Sequence, residues 1–295
     1  MPLHIKRSES LARAVQRICN SHIDDVWARL HKASHPASIH GARKEIKKLR
    51  AILQLIRGEI DHDGVDRIGK PLQKAASRLG IPRDARVTLK AFETLAGSEM
   101  VECFPKIHKK LQRTYKLETR KFRDEDSVSE AIQALKKLRR RVKCIKLKPE
   151  GWKAFKPGLT KSYRQGRKAW KLAQRRQTAD GLHEWRKHVK TLCYQLRMLC
   201  PKWPSAALIM TEELEKLGSQ LGEDHDYYLL SQFIKEHCIG RDVEAMRLNQ
   251  IIKLRQKQLR SSAMKLGSRV YVKTPTAVFA HLETHWRTWR GEQND

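Results

Sequence analysis

The sequence predicts an all-α protein built as two similar four-helix bundles with internal pseudo-twofold symmetry. Three observations predict it. Apolar residues recur at three- and four-residue spacings almost throughout, alternating β-type runs are scarce, and one segment returns in altered form about 143 residues later. The 295 residues give ample chain for a buried core. Helical segments are expected at 8–32, 38–57, 65–80, 84–96, 100–121 and 127–146, then 152–175, 181–199, 206–222, 225–237, 241–266 and 275–290. Punctuation falls at His35-Pro36, Gly58, Gly69-Lys70-Pro71, Gly97-Ser98, Pro149 to Gly151, Pro201 to Ser205, Gly267 and Pro275. A single domain over 1–295 is expected, with repeat halves of about 8–148 and 152–290.

The repeat rests on residues. Segment 39–56, IHGARKEIKKLRAILQLI, aligns with 182–199, LHEWRKHVKTLCYQLRML. The identities are His40/His183, Arg43/Arg186, Lys44/Lys187, Lys47/Lys190, Leu49/Leu192 and Leu53/Leu196. Chance would give roughly one or two over such a window. A second match, Leu79-Gly80 with Arg83-Asp84 against Leu221-Gly222 with His225-Asp226, follows at nearly the same offset.

Charge narrows the function. Lys and Arg number 62 and Asp and Glu 32, a net charge of +30. Self-repulsion on that scale points to an acidic partner: nucleic acid, an anionic membrane surface or another polyanion. No window approaches the ~18 apolar residues of a membrane span. MPLHIKRSES has no apolar core of a secretory signal, and the six scattered cysteines form no CxxC pair. The expectation is a cytoplasmic protein with reduced thiols and no bound cofactor.

On a helical wheel Arg43, Lys44 and Lys47 fall within ~60° of His40, while Ala42, Ile46, Leu49, Leu53 and Ile56 lie opposite. In the second copy His183, Arg186, Lys187, Lys190, Tyr194 and Arg197 share one face. Trp185, Val189, Leu192, Leu196 and Leu199 share the other. Cations climbing a helix by ~5.4 Å per turn suit a linear polyanion better than one small anion. Arg supplies a rigid donor fork and Lys a mobile point charge. A protonated His would add a donor at acid pH. The bland alternative is a solvated helix face, but each segment carries only one acid, Glu45 or Glu184.

At this point the motifs resemble a family. His40-x-x-Arg43-Lys44-x-x-Lys47-x-Leu49-Arg50 is similar to the first signature of the CHAD family, the conserved histidine α-helical domain. His183-Glu184-x-Arg186-Lys187-x-x-Lys190 is similar to the second. Leu79-Gly80-x-x-Arg83-Asp84 and Tyr163-Arg164-x-Gly166-Arg167 resemble the flanking motifs. The resemblance implies two helical bundles around a basic surface, and non-catalytic binding of inorganic polyphosphate, possible association with polyphosphate granules included. By position the site would comprise His40, Arg43, Lys44, Lys47, Arg50, Tyr163, Arg164, Arg167, His183, Arg186, Lys187 and Lys190. Cys193 stands where the first copy has Arg50, so the second row is one rung shorter.

Other readings stay open beside it. RNA binding would use the same charge, nucleic acid otherwise acting as a weaker competitor. A metal-dependent phosphohydrolase would hold magnesium near Asp84 and Asp226, of which Asp226 lies in an acidic run with Glu223 and Asp224 while Asp84 has no acidic neighbours. A structural role for those two, as N-caps or anchors of a nearby Arg or Lys, is the preferred account. The basic run 136–148 carries an apolar seam of Leu135, Leu138, Val142 and Ile145, so a folded helix is expected there. His281 and His285 share a face but lack the Glu placement of a metalloprotease.

Overall fold

A computed structural model describes residues 3–31, 36–57, 81–121, 125–147, 151–199, 205–237 and 242–291. The helix expected at 65–80, with Leu79-Gly80, lies outside the described residues. The others are helical: α1 (Leu11–Leu30), α2 (Pro36–Leu55), α3 (Ile81–Val101), α4 (Pro105–Lys121), α5 (Glu125–Lys143), α6 (Lys156–Arg175), α7 (Ala179–Leu199), α8 (Ser205–His237), α9 (Val243–Tyr271) and α10 (Pro275–Arg290). A 3-10 turn at Gly151–Ala154 precedes α6, and no strand occurs among the described residues. No helix among them is long and apolar enough to cross a membrane.

Local chemistry sets several ends. The Asp242 carboxylate accepts from the backbone N–H of Glu244 at 3.0 Å and so opens α9. Thr274 does the same for Ala277 at 3.3 Å, with Pro275 in the first turn of α10. Gly291, at φ 74°, closes α10 in the left-handed region. Gly97, at φ 61°, kinks α3 where the sequence places a break.

Two apolar clusters hold the helices. The larger joins the buried faces of α1, α2, α5, α6, α7 and α10 with Leu214, Leu217 and Leu221 of α8 and Ala263, Leu266, Val270 and Tyr271 of α9. The smaller packs Phe92, Phe104, Ile107 and Leu111 against Tyr227, Leu230, Phe233 and Ile234 of α8 and Leu248, Ile252 and Leu259 of α9. Each cluster draws on both halves of the sequence. The basic run at 136–148 is folded as expected: Leu135, Leu138, Val142 and Ile145 are all buried. Arg139 there pairs with Asp24 and lies 5.6 Å from the Trp27 ring centre.

Two expected boundaries are absent. The helices read at 206–222 and 225–237 are one continuous α8, and α9 runs past Gly267 to Tyr271. Gly267 is a site of close approach: a Cβ there would come within 2.6–2.7 Å of the Trp170 and Trp185 rings. Tyr163, placed in the binding set by resemblance, is fully buried. Its hydroxyl donates to the carbonyls of Val270 and Lys273, each 2.9 Å away, and its ring packs edge-on against Phe279 at 5.7 Å. It ties α6 to the end of α9 and faces no solvent.

Two outcomes follow from this packing. Gly267→Ala overpacks against two rigid indoles and lowers stability by about 1–3 kcal/mol, read by urea unfolding. Tyr163→Phe leaves two carbonyls short of a donor and costs about 1 kcal/mol, yet leaves polyanion affinity unchanged in a binding titration. A Tyr163→Phe variant of full stability with lost affinity would restore the tyrosine to the site.

Candidate polyanion site

The site begins where α2 and α7 cross. There the Gln195 side-chain amide donates to the Ala51 carbonyl at 3.0 Å in a buried contact. Ala42, Ile46, Leu49, Leu53 and Ile56 of α2 are buried, as are Trp185, Val189, Leu192, Leu196 and Leu199 of α7. These are the apolar backs read from the wheel. On the other faces His40, Lys44, Lys47 and Lys187 are exposed. Arg43, Arg50, His183, Arg186 and Lys190 are half-buried. Cys193, at the position matching Arg50, is buried.

The half-buried cations of α7 lie along its seam with α8. The His183 and His225 rings are 4.3 Å apart, centre to centre. Arg186 passes over Gly222, where a Cβ would meet its guanidinium at 3.3 Å. Lys190 passes over Gly218, where a Cβ would meet its Cε at 2.8 Å. The contacts 183–225, 186–222 and 190–218 define an antiparallel register, and the two glycines give the long side chains a bed. The Lys190 stem and the Arg186 guanidinium both lie against the α8 backbone.

The two rows feel each other. Burial first, then Lys187, Arg186 and the more distant Lys47 hold the His183 imidazole below its ordinary range. Burial, Arg186 and Lys44 lower Lys190. Burial alone lowers Arg50. Lys44 and Lys47 of α2 thus stand within electrostatic reach of Lys190 and His183 of α7.

Nearby acids are paired, Glu215 of α8 with Arg197 of α7 among them. Glu45 is buried, and burial would raise its carboxyl. Hydrogen bonds from His22 at 2.7 Å and Lys48 at 2.8 Å outweigh that and hold it at about 2. It fastens α1 to α2 and faces away from the row. Glu184 pairs with Lys187 at 2.5 Å. On α8, Glu213, Glu223 and Asp224 pair with Arg269, Arg255 and Arg260 of α9. Asp224 is buried, and Arg260 sits 2.7 Å from it. The acidic run therefore anchors arginines, the role preferred from sequence, although through Glu223 and Asp224. Asp226 lies mid-helix in continuous α8 and is no N-cap, whereas Asp84 sits in the first turn of α3.

The α6 residues stand apart. Arg164 is exposed and Arg167 half-buried. Both line a groove of about 500 Å³ with Lys168, Lys171, Leu172, Arg175 and Pro275. None of the α2 or α7 cations lines it. Lys168, Lys171 and Arg175 escaped the sequence reading, although a signal was there: no Asp or Glu stands between Gly151 and Ala179. On α10, His281 and His285 have Nε2 atoms 3.2 Å apart on the exposed side.

Comparison with curated protein sequences finds no match. Two solved structures share the fold. One is the crystal structure of the CHAD domain from the plant Ricinus communis, 13% identical, with a TM-score of 0.57 over 100% of this chain and 96% of that one. The other is PptA from Streptomyces chartreusis, also 13% identical, with a TM-score of 0.59 over 90% of this chain and 100% of that one. The family model for the CHAD domain matches residues 14–235, which takes in α2, α6, α7 and nearly all of α8, and the chain belongs to the CHAD domain family.

Proposed function

We propose that the protein binds inorganic polyphosphate, without catalysis, along the seam where α2, α7 and α8 meet. One observation carries the reading. Two cationic helix faces are brought within electrostatic reach of each other, and the cations of one are bedded on Gly218 and Gly222. Like charges so placed raise the free energy of the empty site. A chain of phosphates relieves it at several points, each cation replacing a mobile counterion. His40, Arg43, Lys44, Lys47 and Arg50 would serve from α2, and His183, Arg186, Lys187 and Lys190 from α7. A binder of this kind suits targeting or scaffolding on polyphosphate granules in the cytoplasm.

The deciding experiment titrates the protein with long-chain polyphosphate and with single-stranded RNA, matched in phosphate units at about physiological salt. Polyphosphate binding that RNA fails to displace supports the reading. Equal binding, or a preference for RNA, overturns it. Lys47→Gln with Lys190→Gln weakens binding by about tenfold or more and flattens its salt dependence. Lys106→Gln with Lys109→Gln, on α4, changes affinity less than about twofold. Equal losses from both pairs would sink the seam.

The pH dependence has a fixed sign. His183 is held below the ordinary imidazole value of about 6.5, so in the free protein it stays neutral at pH 7. The unfolded chain takes up that proton first as pH falls. Stability of the empty protein therefore drops below pH ~6.5, until the folded imidazole also titrates. A bound anion favours the imidazolium, so affinity rises over the same interval. In an NMR titration the His183 midpoint moves up on adding polyphosphate, and His183→Gln shallows the pH dependence of binding. A midpoint unmoved by polyphosphate would remove His183 from the site.

A further inference from the structure

We infer that α6 carries a second polyphosphate track, on a face separate from the α2–α7–α8 seam, so that one molecule holds two chain segments at once. The inference rests on the polyphosphate reading of the seam and extends it to bridging.

The stripe is geometric. On a wheel, Lys161, Arg164, Lys168, Lys171 and Arg175 fall within about 60° of Arg164. All five are exposed. Leu159, Tyr163, Gly166, Trp170 and Ala173 are the buried side of the same helix, turned to the core. From Lys161 to Arg175 the row runs about 21 Å. Two open hollows between the side chains of this segment share Arg164. One, of about 500 Å³, is walled by Pro275 at the start of α10. The other, of about 540 Å³, continues past Lys161 toward Lys156 and Lys153.

A solvated helix face is the competing account, and the charge pattern argues against it. Ordinary surface helices intersperse both signs. Here Arg164/Lys168, Arg167/Lys171 and Lys171/Arg175 are like-charged i,i+4 pairs, each destabilising in an empty helix. Lys161/Arg164, Arg164/Arg167 and Lys168/Lys171 repeat the pattern at i,i+3. The acid from the neighbouring helix, Glu283, is engaged by Lys156 at 2.9 Å and Arg287 at 2.9 Å, beyond the end of the row. Regular cations along one exposed helix face, with repulsion between neighbours, match a linear polyanion whose charges are equally regular. With the seam on another face, a long chain can fold onto both tracks, or two chains can be joined.

The test uses the full chain with long-chain polyphosphate, read by titration calorimetry and static light scattering. Three proteins are compared: wild type, the α6 variant Lys161→Gln/Lys168→Gln/Lys171→Gln/Arg175→Gln, and the seam variant Lys47→Gln/Lys190→Gln. The α6 variant is expected to bind about half as many phosphate units at saturation, as one of two tracks is removed. It should lose the scattering increase from cross-linking and keep seam affinity within about twofold. Its unliganded thermal midpoint should not fall, because like charges have been removed. Unchanged stoichiometry and scattering, with binding still lost in the seam variant, overturns the second track alone. Binding lost in the α6 variant and retained in the seam variant overturns the seam and keeps α6. A wild type that ignores polyphosphate overturns both.

Discussion

The antiparallel contact of α7 with α8 at Gly218 and Gly222 is the constraint on which the basic site depends. His183, Arg186 and Lys190 point the same way along α7, and in open water such side chains would splay apart. The two glycines leave room for the Lys190 stem and the Arg186 guanidinium to lie against backbone. The rest of α7 is fixed by neutral packing, with Trp185, Val189, Leu192 and Leu196 fully buried. Apolar burial of that extent supplies several kcal/mol per large side chain pair, enough to outweigh the repulsion of partly screened cations. The charge sits on a scaffold that does not need it.

Acids follow the same logic. α8 turns Glu213, Glu223 and Asp224 toward arginines of α9, and it meets α7 with Gly218 and Gly222 and with Glu215, which pairs with Arg197. Glu45 of α2 is drawn inward by His22 and Lys48. Neutralisation is thus concentrated at helix–helix joints, where it fastens structure. The excess of +30 is left to gather on particular faces. An external polyanion can offset that excess.

Much of this was legible in the sequence. The helical class, the apolar backs of α2 and α7 and the seam of α5 follow from three- and four-residue spacing, because a buried stripe must recur at that period. What failed did so for identifiable reasons. Gly222 and Gly267 resemble helix ends, since a glycine that breaks a helix and one that admits a neighbouring side chain look alike in a string of letters. Only packing against Arg186, Trp170 and Trp185 tells them apart. The burial of Tyr163, whose hydroxyl meets two carbonyls far along the chain, is likewise not visible in its motif. Most of the α6 row falls outside the motif positions, so only its lack of acids marks it in the sequence.

The length of α8 has a consequence for how the molecule comes apart. Its first half lends Leu214, Leu217 and Leu221 to one apolar cluster, and its second half lends Tyr227, Leu230, Phe233 and Ile234 to the other. α9 makes the same passage in reverse, from Leu248 and Ile252 to Val270 and Tyr271. Neither cluster can melt without stripping partners from a helix that the other still grips. Two struts shared in this way turn what might have been separable modules into one cooperative unit, whose loss of order is concerted rather than piecemeal.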